Sequence, residues 1–448
     1  MSNPAVPPSD SIVLTPPKSP VSGSIKIPAS KSFSNRALVT AALASGRSII
    51  RNASPSEDSI ALIEGLRALG IGIAHQPDGS VMVDGGIERI EEAQRVIDVG
   101  PAGTTMRFLV GLLAANQSGE TIIKGSERMH RRPIGDLVET LRSLGAAISY
   151  EGTPGCPPLW IEGKTLRGGI AEIPGTTSSQ FISALLLASP CFSGGLTLRI
   201  TGDLVSSSYV GTTLSVMEQF GVSVHKREEV HEYHIPAGSC YRPIDYHPEG
   251  DATGATYWWG IAAIAGASVT VRNISRTSRQ GDIAFLDILE SMGCTVTGGD
   301  EEGIPWVQVT GPERLVATTA DLTLLPDSAQ TLAVVAACAE GTTTMTGLET
   351  LSLKESDRIG DTIAELASLG ITATGTDRSM TIIGGMPHPT RPIATYHDHR
   401  MAMAFAMLAT KIQGIVICDP LVTGKSYPDF WRDLATLGIG IEEKSGDK

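Results

Sequence analysis

Charged and polar side chains in this 448-residue chain gather in short turns that stand directly before apolar segments. The last of these turns places Asp398, His399 and Arg400 in front of the sequence MAMAF. Alanine and methionine are strong helix formers, so the stretch predicts a helix that opens on a polar cluster. Free N–H groups and the positive dipole end at a helix start favour phosphate and carboxylate groups. The cluster could therefore be a helix cap or part of an anion-binding site.

Five further turns precede apolar helices in the same way. They read PASKSFSNR, GPAGTTMR, PGTTSSQ, EGDATGA and LPDSAQT. A purely structural repeat would tend to reuse the same residues, but these turns offer different polar groups. Several such turns facing one cleft would bind anions without a metal ion.

Two basic clusters stand at corresponding places in the chain. RMHRRPIGD carries Arg131 and Arg132, and LKESDRIGD carries Lys354, Glu355 and Arg358. Each could be an ordinary solvated turn with internal salt bridges. Their repeated register favours the alternative, a role in ligand binding.

The whole chain repeats one pattern six times. A helix ends in an apolar residue and glycine, and a β-like run follows. The six glycines, spaced 68 to 77 residues apart, are Gly70, Gly145, Gly221, Gly293, Gly370 and Gly438. Because each repeat also contains a second helix that is apolar nearly all round, that helix should be buried.

A unit of about 75 residues buries little surface alone, so the repeats should pack together in larger domains. We predict an α/β (or α+β) fold of two domains with three repeats each. The predicted ranges are a flexible leader over 1–12, one domain over 30–248, and a second over 13–29 plus 249–448.

Composition narrows the classes of function. The formal net charge of −13 makes nucleic acid and anionic membranes unsuitable general partners, and no apolar run reaches the length of a membrane span. The six cysteines are scattered without a CxxC pair, which favours a reducing cytoplasm over a disulfide framework. No spacing typical of metal ligands is present.

Eight ordered motifs resemble a known family, the 3-phosphoshikimate 1-carboxyvinyltransferases (EPSP synthases). The motifs are PASKSFSNRALVTAALA, AGTTMR, RPIGDLV, SSQF, GDLVSSSY, LKESDRI, TYHDHRMAM and KSYPDFW. The resemblance implies two domains of three βαβαββ units with the active site in the interdomain cleft. It also implies transfer of the enolpyruvyl group of phosphoenolpyruvate to the 5-hydroxyl of shikimate 3-phosphate, in aromatic amino acid (chorismate) biosynthesis.

The resemblance also implies a role for each matching residue. The residues expected to bind shikimate 3-phosphate are Lys31, Ser32, Arg36, Ser178, Ser179, Gln180, Ser206, Tyr209, Asp327 and Lys354. Those expected to bind phosphoenolpyruvate are Lys31, Gly103, Arg132, Gln180, Arg358, His399, Arg400 and Lys425. Asp327 and Glu355 are the expected proton-transfer residues, with Lys31 close to the reacting centre.

The implied chemistry suits these residue types. Both substrates carry a phosphate and a carboxylate, which Arg binds bidentately and Lys binds as a point charge. Addition and elimination through a tetrahedral intermediate need one group for the hydroxyl proton and another for the carbon proton, and two carboxylates can divide these tasks. No redox change occurs, so we expect no cofactor and no metal. We expect a cytoplasmic monomer.

Three positions depart from the family pattern. Pro101 stands where Asn is frequent, Thr350 replaces another frequent Asn, and Phe108 stands where many members have Pro. Glyphosate occupies the phosphoenolpyruvate site in this family, and Gly103 leaves room for it, so we expect inhibition.

Two alternatives remain open from the sequence. One is the sister enzyme that transfers enolpyruvate to UDP-N-acetylglucosamine, which commonly has a cysteine in its second repeat. Residues 75–145 contain no cysteine here. The other is a non-catalytic anion-binding repeat protein, which the varied polar turns disfavour.

Overall fold

The computed structural model describes residues 10–90, 94–116 and 119–445. Its internal contacts divide the chain into two compact units. Unit A is Ala29–Glu249, and unit B combines the segment ending at Pro28 with the residues from Gly250 onward. These boundaries differ by one residue from the predicted ranges 30–248 and 249–448.

Strands and helices are interspersed along the described parts of the chain. The strands are β1 Asp10–Thr15, β2 Ser22–Lys26, β3 Gly46–Ile50, β4 Gly72–His75, β5 Val81–Gly85, β6 Gln94–Asp98, β7 Glu120–Lys124, β8 Ala147–Tyr150, β9 Leu159–Glu162, β10 Gly169–Pro174, β11 Leu196–Thr201, β12 His225–Arg227, β13 Glu232–Ile235, β14 Asp245–Tyr246, β15 Ser268–Arg272, β16 Thr295–Glu301, β17 Ile304–Thr310, β18 Thr319–Asp321, β19 Thr342–Thr346, β20 Thr372–Gly375, β21 Met380–Ile383, β22 Ile415–Cys418 and β23 Gly440–Ser445. The helices are α1 Lys31–Leu43, α2 Glu57–Ala68, α3 Gly103–Ala115, α4 Gly135–Ser143, α5 Ser179–Ala188, α6 Ser207–Gln219, α7 Ala252–Ala265, α8 Phe285–Ser291, α9 Ala329–Ala337, α10 Arg358–Ser368, α11 His399–Ala406 and α12 Phe430–Thr436.

Three sheets show the complete repeat. In the orders β6-β7-β9-β8, β10-β11-β13-β12 and β18-β19-β21-β20, the first two strands are parallel and the others antiparallel. Each parallel pair is joined through a buried helix, which gives a βαβαββ unit. The predicted mixed α/β fold of six repeats is confirmed.

The remaining three sheets are completed by segments distant in sequence. Strand β14 pairs with β3 in unit A, and β2 pairs with β15 in unit B. The sixth repeat has a three-stranded sheet, in which β1 lies between β22 and β23 and is antiparallel to both. The segment before α1 thus supplies two strands to unit B.

The leader predicted over residues 1–12 needs a correction at its end. Residues 1–9 lie outside the described residues, but residues 10–12 belong to β1. Ser11 and Ile12 pair with Cys418 and Ile417, and Ile12 is buried in the core of unit B. The short apolar run IVL, with two β-branched residues, was the sequence signal for this strand.

The apolar helices form the centre of each core. Helices α1, α3 and α5 lie in the core of unit A, and α7, α9 and α11 lie in that of unit B. Three of the six have a side-chain cap, in which Ser178, Asp251 or Asp398 accepts a hydrogen bond from a first-turn N–H. The six repeat glycines all have positive φ, from 76° at Gly370 to 103° at Gly145, as the predicted helix ends require.

One buried amide in unit B is a predicted weak point for stability. Gln330 in α9 is 1% exposed, and neither of its amide atoms has a hydrogen-bond partner among the described residues. An unsatisfied buried amide costs about 1–3 kcal/mol. We therefore expect Gln330→Met to raise the free energy of unfolding by about 1 kcal/mol or more, measured by chemical denaturation.

Gln308 provides the matched control for that substitution. Its amide nitrogen donates to the Thr270 hydroxyl at 2.9 Å, so Gln308→Met should not stabilise the protein. A Gln330→Met variant that unfolds more readily than the wild type would contradict the prediction.

Candidate active site

The start of α1 is linked to two other helices of unit A. Nζ of Lys31 lies 2.9 Å from Oδ2 of Asp58 in α2. The backbone carbonyl of Asp58 accepts a hydrogen bond from the Thr105 hydroxyl of α3 at 2.8 Å. These bonds fix the amino end of α1, and with it Ser32, relative to the amino end of α3.

Arg36 is a buried cation whose hydrogen-bond partners among the described residues are neutral. Its Nε donates to the Thr213 hydroxyl at 2.7 Å, and its other nitrogens donate to Ser183 Oγ and to the backbone carbonyls of Ser32 and Tyr209. Burial lowers the pKa of Arg36 to about 10. A buried guanidinium without a carboxylate partner favours the approach of an anion.

Gly103 and Arg132 are in direct contact at the amino end of α3. A Cβ atom added to Gly103 would lie 2.6 Å from Nη1 of Arg132. Arg132 is 7% exposed, so its guanidinium is held against the helix start. A side chain at position 103 would therefore have to displace the Arg132 guanidinium from the helix start.

Helices α5 and α6 bring the remaining predicted residues of unit A into the same network. Ser178 caps α5 by accepting from the Gln180 N–H, and the Gln180 amide donates to Thr104 of α3 at 3.3 Å. Ser179 is buried. Ser206 precedes α6 with a left-handed backbone (φ 52°), and its carbonyl accepts from the Tyr209 N–H.

Asp327 is surrounded by three cations in unit B. It lies in a 3-10 turn, Pro326–Ser328, directly before α9. Its carboxylate accepts from Arg358 at 2.9 Å and Arg400 at 2.8 Å, and Lys354 Nζ lies 3.4 Å away. Burial opposes ionisation, but the positive charges of Arg400, Lys354 and Arg358 outweigh it and hold the pKa of Asp327 well below its usual range.

Arg358 joins three carboxylates from different segments. Its Nη1 donates to Asp327, its Nη2 donates to Glu355 at 2.8 Å, and its Nε donates to Asp398 at 2.7 Å. The side chain is 2% exposed. Burial disfavours the charged form, but the three carboxylates outweigh it and raise the pKa of Arg358.

Glu355 links Arg358 to a second cation. Its other oxygen lies 3.3 Å from Nζ of Lys425, which is buried in a 3-10 turn, Pro420–Lys425. The Glu355 carboxylate is 16% exposed, so it is only partly accessible to solvent. Asp327 and Glu355 thus share Arg358 and differ in their other partners.

Asp398 fixes the start of α11. It accepts from the Arg400 N–H at 2.9 Å and from Arg358, so it caps the helix and links it to α10. His399 is 1% exposed, and its Nδ1 lies 3.5 Å from Asp398. Arg400 Nη1 lies 3.5 Å from the hydroxyl of the buried Tyr257.

Four supporting residues were not identified from the sequence. Asp58 pairs with Lys31, Thr213 binds Arg36, and Tyr257 contacts Arg400. Asp282 accepts from the Ser328 hydroxyl at 2.6 Å, beside Asp327, and burial raises the pKa of Asp282 to about 6. The only signal for Asp58 and Asp282 was an acidic residue near a helix start, which is common on solvated surfaces.

The three positions that depart from the family pattern, Pro101, Thr350 and Phe108, have different surroundings. The Phe108 ring lies 5.3 Å from the Arg36 guanidinium, at a distance typical of a cation–π contact. The buried hydroxyl of Thr350 has no hydrogen-bond partner among the described residues. Pro101 is exposed just before α3.

The described residues contain neither a cluster of metal ligands nor a membrane-spanning helix. Within 10–90, 94–116 and 119–445, no group of three or more His, Cys, Asp or Glu side chains could hold a metal ion. No helix in these ranges is both long and apolar enough to cross a membrane.

These arrangements provide two kinds of chemistry. In unit A, buried cations and helix starts offer positions for phosphate or carboxylate groups. In unit B, two carboxylates in different environments lie among cations, which permits proton transfer beside anionic groups. In unit A, the predicted residues Lys31, Arg36 and Gln180 are linked to neighbouring helices. In unit B, one ion-pair network contains Asp327, Lys354, Glu355, Arg358, Arg400 and Lys425.

Comparisons with known proteins identify the family. The family model for EPSP synthase (3-phosphoshikimate 1-carboxyvinyltransferase) matches residues 15–434. A 3-phosphoshikimate 1-carboxyvinyltransferase of Laribacter hongkongensis is 40% identical over 421 residues, covering 93% of this chain and 96% of that protein. One of Methanosphaerula palustris is 41% identical over 423 residues, covering 94% and 98%.

A solved structure agrees with this result. The EPSP synthase of Acinetobacter baumannii has a TM-score of 0.81 and 27% identity, covering 97% of this chain and 100% of that one. The chain belongs to the EPSP synthase family, the 3-phosphoshikimate 1-carboxyvinyltransferases.

Proposed function

We propose that this chain transfers the enolpyruvyl group of phosphoenolpyruvate to the 5-hydroxyl of shikimate 3-phosphate, releasing phosphate. The observation that carries the proposal is the pair Asp327 and Glu355, joined by the buried Arg358 and flanked by Lys354, Arg400 and Lys425. Two carboxylates held beside several cations suit proton transfer on substrates that carry phosphate and carboxylate groups.

The proposal draws on residues of both units. Arg36, Ser178 and Gln180 of unit A would bind shikimate 3-phosphate, together with the other residues predicted for that substrate. Arg132 would bind phosphoenolpyruvate from unit A, and Arg400 and His399 would do so from unit B. The buried Arg36, with its neutral partners, is available to compensate a phosphate or carboxylate charge.

Substrate binding would change the state of Asp327. In the arrangement described here, three cations hold its carboxylate ionised. Anionic groups of the substrates would engage Arg358, Arg400 and Lys354, so the pKa of Asp327 would rise towards the range of a useful base. Asp327 would then accept the proton of the 5-hydroxyl as its oxygen adds to C2 of phosphoenolpyruvate.

Glu355 would transfer the proton at carbon. Protonated once substrate anions engage Arg358 and Lys425, it would give its proton to the methylene carbon as the C2–O bond forms, yielding the tetrahedral intermediate. Its carboxylate would then take a proton back from the new methyl group as the bond from C2 to phosphate breaks, which restores the double bond. The departing phosphate would take the proton held by Asp327. Lys31 would stabilise charge near the reacting centre as a compact cation.

We also propose that the chain works as a monomer in the cytoplasm. Light scattering of the purified protein would measure its oligomeric state, with the mass of one chain as the expected result.

The direct test is phosphate release from phosphoenolpyruvate with each possible acceptor. Shikimate 3-phosphate should support turnover, and UDP-N-acetylglucosamine should not. Turnover with only the UDP-sugar, or with neither acceptor, would overturn the proposed function.

Glu355→Gln should lower kcat by about 10²–10⁴-fold, the range of general acid–base catalysis. The amide keeps the shape of the side chain but cannot take up or deliver the proton. Binding of both substrates should persist, as measured by calorimetry. Glu349→Gln, at an exposed position of the preceding loop, is the matched control. Equal kcat values for the two variants would remove Glu355 from the mechanism.

Arg132→Ala should chiefly raise the KM for phosphoenolpyruvate, because a charge-assisted contact worth roughly 1.5–3 kcal/mol is lost. Its neighbour Arg131 is exposed and pairs with Glu127, so Arg131→Ala is the matched control. An unchanged KM in the Arg132 variant would show that this arginine does not bind phosphoenolpyruvate.

Gly103→Ala should raise both the KM for phosphoenolpyruvate and the inhibition constant of glyphosate, an expected competitor. The added methyl group would lie 2.6 Å from Arg132 Nη1 and must displace the guanidinium. Gly211→Ala in α6 meets no atom within 4 Å and controls for the change of residue type. If glyphosate does not compete with phosphoenolpyruvate in the wild type, this assignment fails.

A further inference from the structure

The turn before α11 has an unusual backbone. Tyr396 and His397 both have positive φ, of 54° and 57°. This region is uncommon for residues other than glycine, and a bulky residue such as tyrosine rarely adopts it. A residue in this conformation is strained and persists only when its surroundings hold it.

A buried carboxylate of α10 holds this turn. Glu365 is 0% exposed and accepts a hydrogen bond from the Tyr396 hydroxyl at 2.7 Å. Arg391 donates to both of its oxygens, at 2.8 and 3.0 Å, and the Ala394 N–H donates at 3.3 Å. Four donors on one carboxylate therefore fix the segment that leads into the turn.

The same helix also holds the other side of the turn. Arg358 and Glu365 are seven residues apart in α10, about two helical turns, so they lie on one face. Arg358 binds Asp398, and Glu365 binds Tyr396. The two strained residues, 396 and 397, thus lie in a segment that α10 contacts on both sides.

The turn determines where the following groups point. The Asp398 N–H donates to the Thr395 carbonyl, and the Asp398 carboxylate accepts from the Arg400 N–H. A relaxed turn would move Asp398 and, with it, His399 and Arg400. None of the roles proposed above uses Glu365 or Tyr396.

We propose that Glu365 and Tyr396 are positioning residues, which hold the left-handed turn so that His399 and Arg400 can bind phosphoenolpyruvate. The proposal rests on the proposed function of this site. Neither residue is expected to touch a substrate, because both act through the backbone of residues 396–398.

Tyr396→Phe removes only the hydroxyl that binds Glu365. Tyr427→Phe is its matched control in the same unit, since the Tyr427 hydroxyl donates to Asp433 at the same distance of 2.7 Å. Hydrogen–deuterium exchange of peptides covering residues 395–401 should be at least tenfold faster in Tyr396→Phe than in the control. The unfolding temperatures of the two variants should be similar.

Steady-state kinetics then separates positioning from stability. In Tyr396→Phe, kcat/KM for phosphoenolpyruvate should fall about tenfold, while the KM for shikimate 3-phosphate stays within twofold. Glu365→Gln should lower kcat/KM for phosphoenolpyruvate at least as much, because it also weakens the bonds from Arg391. The double variant should lose no more than Glu365→Gln alone, because the Tyr396 hydroxyl acts through Glu365.

The outcomes distinguish failure of this proposal from failure of the proposed function. Exchange at 395–401 equal to that of the control would overturn the role of Tyr396, whether or not the wild type turns over. Faster exchange with unchanged kcat/KM for phosphoenolpyruvate would overturn the role in the reaction. A wild type without phosphate release would refute the proposed function, and the exchange result would still decide whether Tyr396 holds the turn.

Discussion

The ion-pair network of Arg358 is the interaction on which the candidate site of unit B depends. One guanidinium, almost fully buried, binds carboxylates from the turn before α9, from the loop before α10 and from the cap of α11. Removing ions from water costs several kcal/mol each, and only good geometry and further hydrogen bonds offset that cost. The network is therefore weak evidence for extra stability, but it fixes the relative positions of three helix starts.

Unit A also contains a buried arginine, Arg36, but its partners differ from those of Arg358. Arg36 is buried as deeply as Arg358, but its hydrogen-bond partners are hydroxyl and carbonyl oxygens, and burial lowers its pKa to about 10. Arg358 is compensated within the protein, whereas Arg36 retains positive charge that an anionic ligand can compensate. A buried cation with neutral partners would allow a chain with a net charge of −13 to bind the proposed anionic substrates. The charges next to a ligand determine whether an anion can bind, because exposed charges farther apart than about 8–10 Å are largely screened at physiological salt.

The sequence predicted the elements of the fold well because each repeat combines strong local signals. Buried helices such as α3 and α7 are apolar on all sides, and Gly145 and Gly370 end helices in the left-handed conformation that favours glycine. The prediction was wrong at residues 10–12, because a strand completed by partners some 400 positions away has only a run of three apolar residues as its local signal. Segments paired over such distances are chosen by tertiary packing, which periodicity does not record.

Residues of the candidate site could be predicted where they stand at helix starts. The contacts that support them could not be predicted from the sequence. Lys31, Arg132 and Asp398 could be identified from their turns, but the pairing of Lys31 with Asp58 depends on how α1 packs against α2. Glu365 looks in sequence like one more polar residue on an amphipathic helix, yet it is fully buried and binds three groups of a segment about thirty residues later. Burying a carboxylate without hydrogen-bond partners would cost free energy, so the burial of Glu365 implies that it has partners. The sequence did not indicate which residues those partners are.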